Sequence, residues 1–270
     1  MTIESVRIGD LTVLRKMPAH GRGVPILFVH GYFADATVFT DWLEFFAARG
    51  WPAYAVNLRG RGGSRPDIDL GRASISDFVD DAASVARALG GPVVVGHSMG
   101  GLIAQQLAAR HDVRAAVLLA PAPPRGISVL SPRLLLKQLK HLPAIVLSRL
   151  VRPGREDLKE MVLNRIPPTR QDELLEDLGP DSGRAGRDMS IAGVHVASGD
   201  VTCPLLVVAG EDDRFIPIRI AERIAGRYGA PLHRLRDHAH MLILEPGWES
   251  IATFVEGWIR SALHDAARAS

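Results

Sequence analysis

Ser98 lies between Gly96 and Gly100 in a Gly-x-Ser-x-Gly pattern, after the apolar run 93–95 and before residues 102–110, whose apolar spacing is helical. On so tight a turn from a strand into a helix, the serine backbone is strained. Glycine is needed on both sides because a larger Cβ would collide with the neighbouring strand and helix. A serine held in this way attacks carbonyl carbons. The pattern therefore predicts a nucleophile at position 98.

A serine hydroxyl is a poor nucleophile at neutral pH unless an imidazole takes its proton and a carboxylate orients that imidazole. Candidates for both groups follow two later predicted strands. Residues 205–209 lead into Asp212 and Asp213, and residues 232–235 lead into His238 and His240. If these strands are parallel, their carboxyl ends share one edge of the sheet with Ser98. The spacing leaves two acids and two bases open.

The elements that must position these groups alternate along the chain. Two short alternating runs, 3–8 and 11–16, flank a two-residue turn and predict an antiparallel hairpin at the sheet edge. Further strands are predicted at 26–30, 53–57, 93–95, 115–119, 205–209 and 232–235, with helices near 38–49, 76–89 and 102–110, after 217, and from about 248. Continuous apolar strands joined by helices favour a doubly wound, mostly parallel α/β sheet buried on both faces.

The alternation stops at residues 121–124 and resumes at 205, which predicts a core of residues 1–120 and 200–270 with an inserted helical cap, 121–199. Residues 113–155 lack acidic side chains. This basic stretch would suit an anionic or amphipathic substrate or an acidic membrane surface, although plain packing on the core is the favoured interpretation. An amphipathic helix is predicted from apolar and basic residues at helical spacing, namely Leu135, Leu139, Leu142, Val146 and Leu150 with Arg133, Lys137 and Lys140.

Composition argues against several classes of protein. The net charge is +2, with 32 basic and 30 acidic residues mixed along the chain, which disfavours nucleic-acid binding. The N-terminus lacks a basic segment followed by an apolar core, and no apolar run approaches the length of a membrane span, so a soluble cytoplasmic protein is expected. No metal or nucleotide motif is present, so no cofactor is expected, and no pattern indicates an oligomeric state. Cys203, before Pro204 and an apolar run, is expected to be a buried structural residue.

Five motifs resemble those of the α/β-hydrolase superfamily, and the likeness covers nearly the whole chain outside the cap. They are His30-Gly31-Tyr32, Arg59-Gly60-Arg61-Gly62-Gly63-Ser64, Gly96-His97-Ser98-Met99-Gly100-Gly101, Gly210-Glu211-Asp212-Asp213, and Ala239-His240 with Glu245-Pro246. By position in these motifs, the resemblance implies Ser98 as nucleophile, Asp213 as acid and His240 as base. Asp212 and His238 are the nearest competitors.

The resemblance also implies an oxyanion hole made of the backbone N–H groups of Tyr32 and Met99. The Tyr32 ring would then wall the acyl pocket. His30 and His97, at strand ends with apolar neighbours, are expected to be structural and hydrogen-bonded. Asn57 and Arg61 stand where relatives often show aspartate and histidine, a departure expected to affect loop packing more than chemistry.

The expected function is hydrolysis of carboxylic esters with small to medium apolar acyl or alcohol groups through an acyl-enzyme, the substrate being a small molecule. Serine at position 98 argues against relatives that use a nucleophilic aspartate. Lactonases, thioesterases, haloperoxidase-like perhydrolases and carbon–carbon bond hydrolases share the same constellation and stay as alternatives. A receptor-like α/β-hydrolase that binds a ligand without turnover is the alternative outside enzymes.

Overall fold

The computed structural model describes residues 2–21, 23–110, 112–128, 141–152 and 154–269. Within them, eight strands form one sheet, in the order β1-β2-β4-β3-β5-β6-β9-β10, and two short strands, β7 and β8, pair separately. The strands are β1 (Glu4–Ile8), β2 (Leu11–Lys16), β3 (Ile26–Val29), β4 (Ala53–Val56), β5 (Val93–His97), β6 (Ala115–Leu119), β7 (Leu150–Val151), β8 (Asp181–Ser182), β9 (Leu205–Gly210) and β10 (Leu232–Leu235).

The N-terminal hairpin of β1 and β2 forms the antiparallel edge of the sheet. Ile8 pairs with Leu11, so the turn has two residues, and Gly9 has the positive φ of 57° that such a turn requires. Strand β2 also pairs antiparallel with β4, while every other neighbouring pair in this sheet is parallel. The prediction of a doubly wound, mostly parallel sheet with a hairpin at its edge is confirmed.

Nine α-helices occur in the described part of the chain. They are α1 (Thr40–Ala48), α2 (Ile75–Ala88), α3 (Met99–Ala109), α4 (Leu142–Val146), α5 (Arg155–Met161), α6 (Pro168–Glu176), α7 (Gly183–Arg187), α8 (Ile218–Tyr228) and α9 (Trp248–Ala269). Helix α2 begins with a capping box, in which the side chains of Ser74 and Asp77 each accept the backbone N–H of the other.

The sheet is covered on both faces because successive side chains of a strand point to opposite sides. Leu27 and Val29 of β3 pack with α2, α3 and α8. Ile26 and Phe28 of the same strand pack with α1 and α9. This burial on both sides explains why the central strands are continuous apolar runs rather than alternating ones.

A helical cap is inserted between β6 and β9 and contains α4 to α7 with β7 and β8. The amphipathic helix predicted through Leu150 was wrong at its end, because α4 stops at Val146 and Leu150 lies in β7. Ser148 has a φ of 51°, a left-handed conformation that an α-helix cannot continue through. The predictions for Arg133, Leu135, Lys137, Leu139 and Lys140 fall on residues outside those described.

Candidate active site

Ser98 lies on the turn between β5 and α3 with a φ of 55° and is 6% exposed. Its N–H donates to Leu119 O at 2.9 Å, which ties the turn to β6. A Cβ on Gly96 would lie 2.1 Å from Gly100 O, and one on Gly100 would lie 2.0 Å from Val29 O. The strained turn therefore tolerates only glycine at both positions, as the pattern predicted.

A continuous chain of hydrogen bonds runs from Ser98 through His240 to Asp213. Ser98 Oγ lies 3.0 Å from His240 Nε2, and His240 Nδ1 lies 2.8 Å from Asp213 Oδ2. A carboxylate only accepts, so the neutral imidazole carries its proton on Nδ1, and Nε2 accepts the serine O–H. All three residues are buried. The arrangement can remove a proton from the serine hydroxyl.

The two adjacent aspartates of the β9 loop point to different surroundings. The second oxygen of Asp213, Oδ1, accepts the N–H groups of Phe215 at 2.8 Å and Ile216 at 2.7 Å, so the carboxylate is fixed in orientation. Asp212 instead forms an exposed ion pair with Arg165 of the cap, whose Nε donates at 2.8 Å. The structure brings Asp213, and not Asp212, to the imidazole.

The loop that carries His240 is held by two buried groups. Glu245 Oε2 accepts the Ala239 N–H at 2.8 Å and lies 3.1 Å from His238 Nδ1, which keeps the competing imidazole away from Ser98. His97 Nε2 donates to His240 O at 2.8 Å. In the sequence Glu245 stands out only as part of a motif, and nothing there indicates that its carboxylate anchors this loop.

His30 and His97 are buried and hydrogen-bonded, as expected for structural residues. Burial lowers the pKa of His97 to about 3 and that of His30 to about 4, so both imidazoles are neutral at neutral pH. His30 Nε2 accepts the Leu58 N–H at 3.3 Å, and its Nδ1 donates to Gly31 O at 2.9 Å. These bonds fix the loop that follows β3 beneath Ser98.

The backbone N–H groups of Tyr32 and Met99 are the predicted oxyanion donors, and neither donates to another group in the described part of the chain. Met99 is the first residue of α3, where the N–H groups have no partner within the helix. Gly31, next to Tyr32, packs so closely that an added Cβ would lie 3.1 Å from Ser98 Cβ. Both donors belong to residues that line the same cavity as Ser98.

This cavity has a volume of about 170 Å³ and lies between the core and the cap. Its walls are mostly apolar. The core contributes Tyr32, Ser98 and Phe215, and the cap contributes Ile145, Leu158, Met161, Val162 and Met189. The Tyr32 ring therefore lines the space beside Ser98, as the resemblance implied. An apolar pocket that opens on a nucleophile suits an apolar acyl or alcohol group.

Other features bear less directly on the site. Cys203 is half-buried, and burial raises the pKa of its thiol to about 11, which disfavours the reactive thiolate. Among the helices that the structure describes, none is long and apolar enough to cross a bilayer. In the same residues, no group of three histidine, cysteine, aspartate or glutamate side chains is arranged to hold a metal ion.

The motifs of the sequence imply membership of the α/β-hydrolase superfamily, and comparison with models of protein families tests this. The model of the Alpha/beta hydrolase family matches residues 26–249. The chain belongs to this family. This α/β-hydrolase is 28% identical over 263 residues to the monoacylglycerol lipase of Mycolicibacterium smegmatis, covering 90% of this chain and 89% of that one. It is 27% identical over 260 residues to a pimeloyl-[acyl-carrier protein] methyl ester esterase of Neisseria meningitidis, covering 87% and 94%.

Solved structures share the architecture of this α/β-hydrolase. An esterase from Thermogutta terrifontis superimposes with a TM-score of 0.69 at 22% identity, covering 93% of this chain and 94% of that chain. The N-acyl homoserine lactonase AidH gives a TM-score of 0.73 at 20% identity, covering 97% and 98%. At these identities the similarity establishes the fold, and the chemistry has to be argued from the site.

Proposed function

We propose that this α/β-hydrolase is a serine hydrolase that cleaves carboxylic esters with small to medium apolar acyl or alcohol groups. The observation that carries the proposal is the unbroken hydrogen-bond chain from Ser98 Oγ to Asp213, which ends at an apolar cavity. The esterase and lipase names of the relatives agree with this class of substrate.

The first half of the proposed reaction transfers the acyl group to the enzyme. Ser98 Oγ attacks the ester carbonyl carbon while His240 Nε2 takes the serine proton, and the carbonyl oxygen becomes an oxyanion. When the tetrahedral intermediate collapses, the bond from carbon to the alcohol oxygen breaks. The imidazolium gives its proton to that oxygen, so the alcohol leaves and the acyl group stays on Ser98.

The second half releases the acid. Water attacks the acyl-enzyme while His240 Nε2 takes one of its protons, and the second tetrahedral intermediate expels Ser98 Oγ, which takes the proton back. In both halves the N–H groups of Tyr32 and Met99 would donate to the oxyanion. Loss of one such donor typically costs about 3 kcal/mol of transition-state stabilisation.

We assign catalysis to the core of the chain and substrate selection to the cap. A core of residues 1–120 and 200–270 would supply the nucleophile, acid, base and oxyanion donors, and a cap of residues 121–199 would select the substrate. Cap side chains that line the cavity support this division. They are Ile145, Leu158, Met161, Val162 and Met189.

The test is hydrolysis of a series of p-nitrophenyl esters from acetate to palmitate by the wild type and by Ser98→Ala. We expect turnover with an optimum at short to medium chains, and a loss of about four orders of magnitude or more in Ser98→Ala. Ser84→Ala, on the exposed side of α2, serves as the matched control and should retain wild-type turnover.

Activity that persists in Ser98→Ala would overturn the assignment of the nucleophile. Absence of turnover on every ester would refute the ester-hydrolase proposal and favour perhydrolysis, carbon–carbon bond cleavage or ligand binding. A labelling experiment separates these outcomes. A fluorophosphonate that modifies wild type but not Ser98→Ala would show that the serine is activated even where the ester series is not turned over.

A further inference from the structure

A buried ion pair joins the loop after β4 to the cap. The guanidinium of Arg61 contacts the carboxylate of Asp181 in β8, and both side chains are buried, Asp181 completely. Arg61 Nη1 also donates to Pro180 O at 2.6 Å. A buried pair offsets its desolvation only when its remaining hydrogen-bonding capacity is satisfied. Asp181 meets this requirement by accepting two backbone N–H groups.

The Asp181 carboxylate reaches the loop that carries the proposed oxyanion donor. Its Oδ2 accepts the Phe33 N–H at 2.7 Å, and its Oδ1 accepts the Ser182 N–H at 2.6 Å. Phe33 directly follows Tyr32. A charged group of the cap therefore binds the peptide next to the residue whose own N–H would meet the oxyanion.

The backbone at Phe33 is strained, with a φ of 69°. A left-handed conformation is unfavourable for a residue other than glycine and persists only where the surroundings impose it. Within the loop the turn is closed by a long hydrogen bond of 3.4 Å from Ala34 N to Gly31 O. The stronger restraints come from the cap, since Asp181 accepts the Phe33 N–H and Gly179 N donates to Phe33 O at 2.9 Å.

The Tyr32 side chain is held by the same cap segment. Its hydroxyl donates to Ser182 O at 2.6 Å, and burial raises the pKa of the phenol, which keeps it in the protonated donor form. Ser182 is itself fixed to the core, because its Oγ lies 2.5 Å from Ala73 O. Residues 179–182 thus hold both Tyr32 and Phe33.

We propose that Asp181 is a positioning residue, held by Arg61, that fixes the Phe33 peptide and so aims the Tyr32 N–H at the developing oxyanion. The cap would then help to build the part of the site that stabilises the transition state, besides shaping the pocket. This inference rests on the proposed function. It follows from the need to hold oxyanion donors in place before the reaction, within about 2.7–3.1 Å of the new negative charge.

Two matched double variants test the hydrogen bond to Phe33 without leaving a buried charge unpaired. Arg61→Met/Asp181→Asn keeps a side-chain oxygen that can accept the Phe33 N–H. Arg61→Met/Asp181→Leu has the same branched shape at position 181 and no acceptor. We expect the kcat of the leucine variant to be about 10- to 100-fold below that of the asparagine variant, less than the 10²–10³ typical of losing a donor outright. KM should agree within about twofold, because the interaction acts in the transition state.

Turnover is expressed per active site titrated with a fluorophosphonate, so that misfolded protein does not count. Binding of an alkyl trifluoromethyl ketone, which forms a tetrahedral oxyanion on the serine, should weaken in parallel with kcat. Arg165→Met removes an exposed ion pair between cap and core, with Asp212, and should change kcat less than twofold.

A second pair of variants tests the same loop without touching the buried charges. An added Cβ on Gly179 meets no atom within 4 Å, so Gly179→Ala should be tolerated, whereas Gly179→Pro deletes the N–H that binds Phe33 O. The proline variant should have the lower kcat, with KM unchanged. If the double variants do not fold, this pair tests whether the contacts of the cap with the Phe33 peptide set kcat.

Equal kcat per titrated site in the asparagine and leucine variants, or a difference between them confined to KM, would overturn the positioning role while leaving the ester hydrolase intact. If those variants do not fold, equal kcat in the Gly179→Ala and Gly179→Pro variants would overturn it. Absence of Ser98-dependent turnover in the wild type would instead refute the proposed function, and the role assigned to Asp181 with it.

Discussion

At the scale of single residues, the site depends on which side chains the backbone turns inward. Asp212 and Asp213 are neighbours on one loop, yet Asp213 is 5% exposed and bound to the imidazole, while Asp212 pairs with Arg165 at the surface. The two carboxylates have the same chemistry, so their positions alone separate their expected roles.

We therefore expect Asp213→Asn to lower kcat by about 10²–10⁴, because an amide leaves the imidazole without a charged partner and can favour the wrong tautomer. Asp212→Asn should lower it less than about threefold, since an exposed ion pair contributes little. Rates on one p-nitrophenyl ester measure both effects. The reverse order of the two variants would move the acid to Asp212.

Residues that lie in family motifs could be predicted from the sequence, and residues outside any motif that only the fold brings together could not. The preference for Asp213 and His240 came from the family motifs, and the hydrogen-bond geometry agrees with it. The contact of Asp181 with Phe33 joins residues 148 positions apart, and no local pattern marks either of them. Arg61 departs from the family motif and is visible in the sequence, but its partner Asp181 lies in a segment with no recognised motif.

At the scale of elements, the bounds of strands in the sheet could be predicted from the sequence, and the bounds of helices in the cap could not. Strands β6 and β10 begin and end at the predicted residues. Strand β6 is a buried, continuous apolar run between polar turns, and β10 is a half-buried strand at the edge of the sheet. The short cap helices have little periodicity, and their ends depend on tertiary contacts. The cap was thus predictable as an insertion, while its internal structure was not.

The cap elements also lead to a prediction about chain length. Val162 follows α5, lines the cavity and is half-buried at the margin of the apolar cluster of the cap, so a larger side chain there can extend into the cavity. Val162→Trp should shift the optimum of the p-nitrophenyl ester series to shorter acyl chains by filling part of the space. The matched variant Val162→Ala should keep the optimum or lengthen it. An unchanged optimum in Val162→Trp would place the acyl chain elsewhere.

At the scale of the whole molecule, two neutral histidines buried in the core link stability to pH. The pKa values of His30 and His97 are lowered to about 4 and about 3, whereas an unfolded histidine titrates near 6.5. Below pH 6.5 the unfolded chain binds protons that the folded protein does not. The stabilisation is therefore complete above pH 6.5 and is lost as the pH falls toward 4 and 3.

We expect the free energy of unfolding to fall between pH 6.5 and 5 by up to about 1.4 kcal/mol per pH unit for each of these histidines. Urea unfolding at several pH values measures the slope. His97→Gln should flatten it, and His20→Gln, which changes an exposed imidazole, serves as the control. A slope that is the same in both variants would mean that His97 binds its proton as readily in the folded protein as in the unfolded chain.

The cap joins the core at two neighbouring strands, since Ala116 of β6 pairs with Leu205 of β9. In polymer terms the cap is a loop whose two ends are held next to each other by the sheet. Each doubling of the length of such a loop costs only about 0.6 kcal/mol of closure entropy. Insertions of very different length can therefore be exchanged at this point during evolution with little loss of stability. If Asp181 does position the Tyr32 loop, residues 179–182 are the part of the insertion that evolution is least free to replace.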